Sequence, residues 1–142
     1  MTPAELKTLI ESDAEATALA NAGNDEACAV RCGVIAPKLL VSTRLGDINI
    51  VSLFANPVDG ETVCQTIEAV AEQNAVVKRA WRWAAPGAPG IDVGDAKVRA
   101  MLIAPTNLGG VGLTPEQAAP LLAAAEEQQR FTAAQIGEAW RS

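Results

Sequence analysis

Histidine and tyrosine are absent from this 142-residue chain, and tryptophan and phenylalanine together make up only 4% of it. Without histidine there is no Ser-His-Asp triad, no Cys-His dyad, no HExxH zinc site and no C2H2 finger. Cysteine is scarce as well. Cys28, Cys32 and Cys64 are an odd number with no secretory leader read ahead of them, so they do not make a disulfide framework. Cys28 and Cys32 stand four residues apart on a predicted helix, where a bridge is rarely possible, and a zinc site would need a fourth ligand beyond Cys64. All three are expected to be small buried hydrophobes of a reduced, intracellular protein, with no metal and no cofactor. No apolar stretch approaches the ~20 residues of a membrane span, which predicts a soluble chain without a membrane partner.

The abundant residues point to helices. Alanine occupies 28 positions, and hydrophobic residues make up 49% of the chain. Alanine is the best helix former, whereas strands are usually rich in β-branched and aromatic side chains. The expectation is an all-α fold: one compact domain over residues 1–142, built from about seven or eight short helices. The net charge is −6 with a pI near 4.6, so the chain as a whole repels phosphate backbones and nucleic acid is not an expected partner.

Helix starts are the strongest local signals, because a Ser or Thr side chain can accept from an orphan N–H while a Glu or Gln three residues on reaches back. Four such boxes are read: Thr2 with Glu5, Ser12 with Glu15, Thr114 with Gln117 and Thr132 with Gln135. The first helix carries Leu6, Leu9 and Ile10 on one stripe. The second carries Ala16, Leu19 and Ala20 and stops at Gly23. Asn24 caps a third, with Ala27, Val30, Val34 and Ile35 predicted inward. Asp47 to Ala55 combines strand-like Ile48, Ile50 and Val51 with helical spacing and is read as a short helix. The region 38–56 is the candidate docking arm or irregular segment. Val63, Ile67, Val70 and Ala71 mark the next helix, and Val76, Val77, Ala80 and Trp81 belong to the one from Ala75 to Ala84. Asp92 or Asp95 starts another with Val98, Met101 and Leu102 inward. The run Leu108 to Gly112 is predicted to be a flexible connector, and it lacks the Lys and Ser/Thr of a phosphate-binding loop. Pro120 interrupts the helix opened at Thr114.

One stretch stands out for function. In Lys78, Arg79, Ala80, Trp81, Arg82, Trp83, residues two apart on a helix point about 200° away from each other, so Trp81 and Trp83 cannot both enter the same core face. One of them belongs at the margin or on the surface. Lys97 and Arg99 add to a local charge of +3 between residues 78 and 99. Tryptophan beside arginine is the composition of an interface hot spot, and Lys78, Arg79, Trp81, Arg82, Trp83, Lys97 and Arg99 form the candidate interaction surface. The plain alternative is that both tryptophans cap the core while the cations face water. The carboxylates Glu126 with Glu127, Asp25 with Glu26 and Glu68 with Glu72 read as solvated helix-face charges rather than an acid/base pair. No catalytic residue is assigned and the chain is not read as an enzyme.

The ends of the chain carry a resemblance. "MTPAELKTLIESDAEATALANAGNDEACA" followed by "RCGVIAP", and the closing "GVGLTPEQAAPLLAAAEEQQRFTAAQIGEAW", resemble small uncharacterised proteins of tailed-phage and prophage genomes. The shared pattern is a leading helix ending in Asp, an "AGND" turn at Ala22 to Asp25, and a threonine-capped closing segment from Leu113 to Ala139. It covers roughly the first 36 and last 32 residues and part of "GIDVGDAKVRAML". The resemblance implies a virion structural or assembly protein that touches capsid, neck or tail proteins, is present as a homo-oligomer or in multiple copies, and resides in the virion after the host cytoplasm. It supplies no site residues. The alternative is a non-structural phage-encoded regulator or inhibitor that binds a host protein.

Overall fold

Three of the four capping boxes form as the side chains dictate. In the computed structural model, which describes residues 1–142, the Thr2 hydroxyl accepts from the Glu5 N–H at 3.1 Å and the Glu5 carboxylate from the Thr2 N–H at 2.7 Å. This reciprocal pair opens α1 (Pro3–Glu11). Thr114 and Gln117 do the same for α8 (Pro115–Ala123), and Thr132 and Gln135 for α9 (Ala133–Arg141). Ser12 departs from the reading. Its hydroxyl donates back to Leu9 O at the end of α1, and Asp13 caps α2 (Ala14–Asn21) instead, accepting from the Ala16 N–H at 2.9 Å. A carboxylate one residue later is the stronger acceptor for the positive end of a helix.

Nine helices and only two-residue strands make the fold mostly α, with 63% of residues helical. The chain divides into two compact units. One comprises residues 1–39 and 127–142, the other residues 40–126. Each has its own cluster of buried hydrophobic residues. The split was invisible in composition because the first unit is discontinuous, with its closing helix arriving from the far end of the chain.

In the first unit α1, α2, α3 (Asp25–Ile35) and α9 bury Leu6, Ile10, Ala16, Ala20, Cys28, Cys32, Ile136 and Ala139. Gly23 ends α2 at φ +74°, and the Asn24 N–H reaches back to Leu19 O while the Gly23 N–H bonds Ala20 O, satisfying two carbonyls at the helix end. Asn24 caps α3 as read. The buried face of α3 is different from the reading: Cys28, Ala29, Cys32 and Ala36 point inward, while Val30 and Val34 are 72% and 56% exposed. Arg141, in the last turn of α9, holds Asp25 through two 2.9 Å bonds.

In the second unit α4 (Asp47–Ser52) and α6 (Ala75–Trp81) pack against α5 (Pro57–Gln73), with α7 (Ala96–Ile103) against α8. Ile50, Val63, Ile67, Val77, Leu102 and Leu121 are fully buried among them. The short helix at 47–52 forms as read, although Gly46 takes the cap position and the Asn49 side chain accepts from its N–H. The segment after Lys38 docks. After β1 (Leu39–Leu40), Arg44 and Leu45 form β2, paired antiparallel with β3 (Ile91–Asp92) so that Arg44 lies opposite Asp92 and Leu45 opposite Ile91. Leu45 is buried in the core.

The glycine run 109–112 is not a flexible connector. Thr106–Leu108 form one 3₁₀ turn, and the chain then lies against the C-terminus of α7: Val111 N–H bonds Met101 O, Gly112 N–H bonds Ala104 O and Leu113 N–H bonds Leu102 O. Those carbonyls have no helical partner of their own. A Cβ on Gly110 would collide with the backbone of Ala104, so glycine is what lets the two segments touch. No helix is long and apolar enough to cross a membrane.

Candidate interaction surface

The candidate surface belongs to the second unit, where α6, the 3₁₀ turn Arg82–Ala84 and α7 carry its residues. Asn74 is the single residue between α5 and α6, and its side chain accepts from the Val76 and Val77 N–H groups, which fixes the start of α6. From that start Val77 points into the core and Val76 points out, 69% exposed. Trp81, one turn further, packs partly buried against the core. Trp83 falls in the tighter 3₁₀ turn and is 47% exposed. One indole thus lies against the core and the other, Trp83, outside, although Trp83 sits on a 3₁₀ turn, where residues two apart are separated by about 240° rather than 200°.

Trp83 is presented by a pinned backbone. Its carbonyl accepts from the Gly90 N–H at 2.7 Å, closing the Pro-Gly loop behind it. Asp92 fixes the neighbouring strand: Oδ1 accepts from the Thr43 and Gly94 N–H groups, each at 2.9 Å, and Oδ2 from the Ser42 hydroxyl at 2.8 Å. The Thr43 amide above all, with the Ser42 hydroxyl, holds the Asp92 carboxyl below its ordinary range. Beside Trp83 lies an open pocket of about 520 Å³, shared with Arg44, Ala80, Ile91, Asp95 and Val98. On the other side of Ala80 and Val98 is a second groove of about 350 Å³, lined by Val76, Lys97, Met101 and Leu108 among others. Leu108 is 74% exposed.

The cations of the candidate surface divide into two kinds. Lys78, Arg79, Arg82 and Lys97 are exposed and belong to no ion pair. Arg99 is a corrected assignment. Its Nη1 donates to Val93 O at 2.9 Å and Leu122 O at 3.0 Å, and its Nη2 to Glu126 Oε1 at 2.8 Å. Three of its five N–H donors are spent inside the unit, so it braces α7 against the end of α8. Glu126 is likewise no helix-face charge; it lies in a two-residue strand, β4 (Glu126–Glu127). Val76, Leu108 and Arg44 join the surface although the sequence marked none of them. Val76 read as part of a core helix and Leu108 as linker, and hydrophobicity alone does not tell an exposed valine from a buried one.

The nucleophile candidates are sequestered. Cys28 Sγ lies 3.5 Å from Ala16 O and Cys64 Sγ 3.7 Å from Asp47 O, and all three cysteines are free and buried. Burial pushes the Cys32 thiol up to about 12 and the Cys64 thiol up to about 11, and moves Cys28 in the same direction. A thiol so placed holds its proton at neutral pH and is a poor nucleophile.

No family model matches the chain, and no curated protein or solved structure shows significant similarity to it.

Proposed function

We propose that this chain is a non-enzymatic structural or assembly protein of a tailed-phage particle, acting through protein–protein contacts with capsid, neck or tail proteins and present there in several copies. The observation that carries the contact role is Trp83, half-exposed on a pinned turn beside an open pocket and next to the unpaired Arg82. A rigid indole with arginine beside it loses little conformational freedom on docking and buries a large area, which is why such pairs dominate interface energies. The phage assignment is supported by the resemblance of the two chain ends.

Mass spectrometry of purified particles tests this reading. The chain is expected in the particle at a fixed ratio to the major capsid protein. Absence from the particle, with abundance early in infection, would overturn it in favour of a regulator that binds a host protein.

A further inference from the structure

The pocket beside Trp83 combines three kinds of wall. Ala80, Ile91 and Val98 line it with apolar surface, the half-exposed indole of Trp83 adds an aromatic one, and Arg44, Asp92 and Asp95 bring charge. Its volume of about 520 Å³ lies within the range of ligand sites, roughly 300–1,000 Å³. Two carboxylates against one guanidinium leave the lining with a surplus negative charge. Arg82 precedes Trp83 in the chain and Lys97 comes two residues after Asp95, yet neither lines this pocket.

The charged groups are not equally available. Arg44 stands opposite Asp92 in the β2–β3 pair, where unlike charges attract, and its Nη1 donates to Gly90 O at 3.3 Å. Asp92 already accepts three bonds, from Ser42, Thr43 and Gly94. Asp95 differs from both. Its Oδ1 accepts from the Lys97 and Val98 N–H groups at 2.9 and 3.1 Å and so caps α7, while Oδ2 takes part in no hydrogen bond or ion pair within the chain. A carboxylate held by one oxygen and open at the other is a fixed acceptor for a donor arriving from outside.

From the indole, the apolar wall and the open carboxylate we propose that this pocket takes an arginine side chain of a partner protein, its methylenes along Ala80, Ile91 and Val98, its guanidinium against Trp83, and an N–H donated to Asp95 Oδ2. The face of an indole attracts a cation, and a planar guanidinium stacks on it while still donating along its edge. The stem of an arginine covers apolar surface while its head stays polar. An anionic guest would meet two carboxylates and the negative face of the ring, with only Arg44 in its favour. This inference rests on the contact role given to Trp83 above and names the chemistry that the partner brings to it.

NMR titration of the full chain with the blocked peptide acetyl-Gly-Arg-Gly-amide tests it, read at the indole N–H of Trp83, whose resonance Trp83→Ala identifies. A saturable shift is expected, weakening as salt rises. The same peptide with citrulline in place of arginine keeps the shape and loses the charge, and with glutamate the charge is reversed; neither should shift the resonance. Asp95→Asn keeps a good helix cap and should weaken arginine binding roughly tenfold. Arg44→Met removes a like charge from the lining and should tighten it, by about twofold. A shift produced by the glutamate peptide and abolished by Arg44→Met overturns the proposal in favour of an anion site. Equal shifts with arginine and citrulline, arginine binding indifferent to Asp95→Asn, or no shift with any peptide overturn it outright. The three peptides are compared on the wild-type chain, so the test holds even where a variant fails to fold. Particle composition reads the other proposal separately: a chain present in particles whose Trp83 ignores arginine overturns only this site, and arginine binding by a chain absent from particles overturns only the particle role.

Discussion

Arg31 holds Asp13 in a two-pronged grip, Nε to Oδ2 at 2.9 Å and Nη2 to Oδ1 at 3.0 Å, while Oδ2 also caps α2 at the Ala16 N–H. One carboxylate thereby ties the start of α2 to the middle of α3. The Arg31 guanidinium, then the Ala16 amide, hold the Asp13 carboxyl at about 2, below its ordinary 3.8. Because the folded value is the lower one, the unfolded chain takes up the proton first as pH falls. The stabilisation is complete above pH 3.8 and is lost as pH falls toward 2. Asp13→Asn keeps a good cap but loses the ionic grip. It should be less stable than the wild type in urea titrations at neutral pH, with the gap closing across that acid window. A gap that stays constant down to pH 2 would show that the pair is not linked to folding.

Local chemistry was the legible part of this fold. The boxes at Thr2, Thr114 and Thr132 involve residues three apart, so the sequence contains both partners of each bond. The inward face of α3 was not legible, because hydrophobicity favours Val30 and Val34 while close packing selects the small residues Cys28, Ala29, Cys32 and Gly33. A Cβ on Gly33 would come within 3.0 Å of Gln129 O, a contact made 96 positions away along the sequence. Asp92 shows the same limit: its ligands at Ser42 and Thr43 are 50 and 49 residues distant. At the candidate surface, the helical angle between Trp81 and Trp83 was enough to require an exposed indole. Arg99 failed as a prediction because its partners, Val93, Leu122 and Glu126, come together only through tertiary structure.

The glycine run offers a contrast between neighbours. Gly109 adopts φ +81° with nothing near its missing Cβ, whereas Gly110 faces the Ala104 backbone. Gly109→Ala should cost about 1 kcal/mol, from left-handed backbone strain alone. Gly110→Ala must push the docked segment off α7 and should cost on the order of 3 kcal/mol. Urea midpoints of the two variants measure the difference, and equal values would mean the run behaves as a free connector after all.

Arg99 and Lys97 are two residues apart on α7 and should separate stability from binding. Arg99→Met leaves Glu126 and two carbonyls without their charged donor, and hydrogen bonds to charged groups contribute roughly 1.5–3 kcal/mol each way. A lowered melting temperature is expected, unrelieved in Arg99→Lys, whose single ammonium cannot reproduce the fork. Lys97→Met removes an exposed, unpaired charge and should leave melting unchanged within about 0.5 kcal/mol. Thermal unfolding followed by circular dichroism compares the three.

Trp81 and Trp83 make the sharpest pair. Trp81 packs against the buried core of the second unit, so Trp81→Ala opens a void and should cost about 3 kcal/mol, near the lower end for a large aromatic because part of the ring is already in water. Trp83 is half in solvent, its backbone is held by Gly90 rather than by its ring, and Trp83→Ala should change stability by less than about 1 kcal/mol. Fluorescence makes the same distinction without denaturant. The component lost in Trp83→Ala should be the red-shifted one most open to acrylamide quenching, and the component lost in Trp81→Ala the more protected one. If Trp83→Ala unfolds the chain instead, the indole is a core plug, the surrounding cations face only water, and the surface loses its anchor.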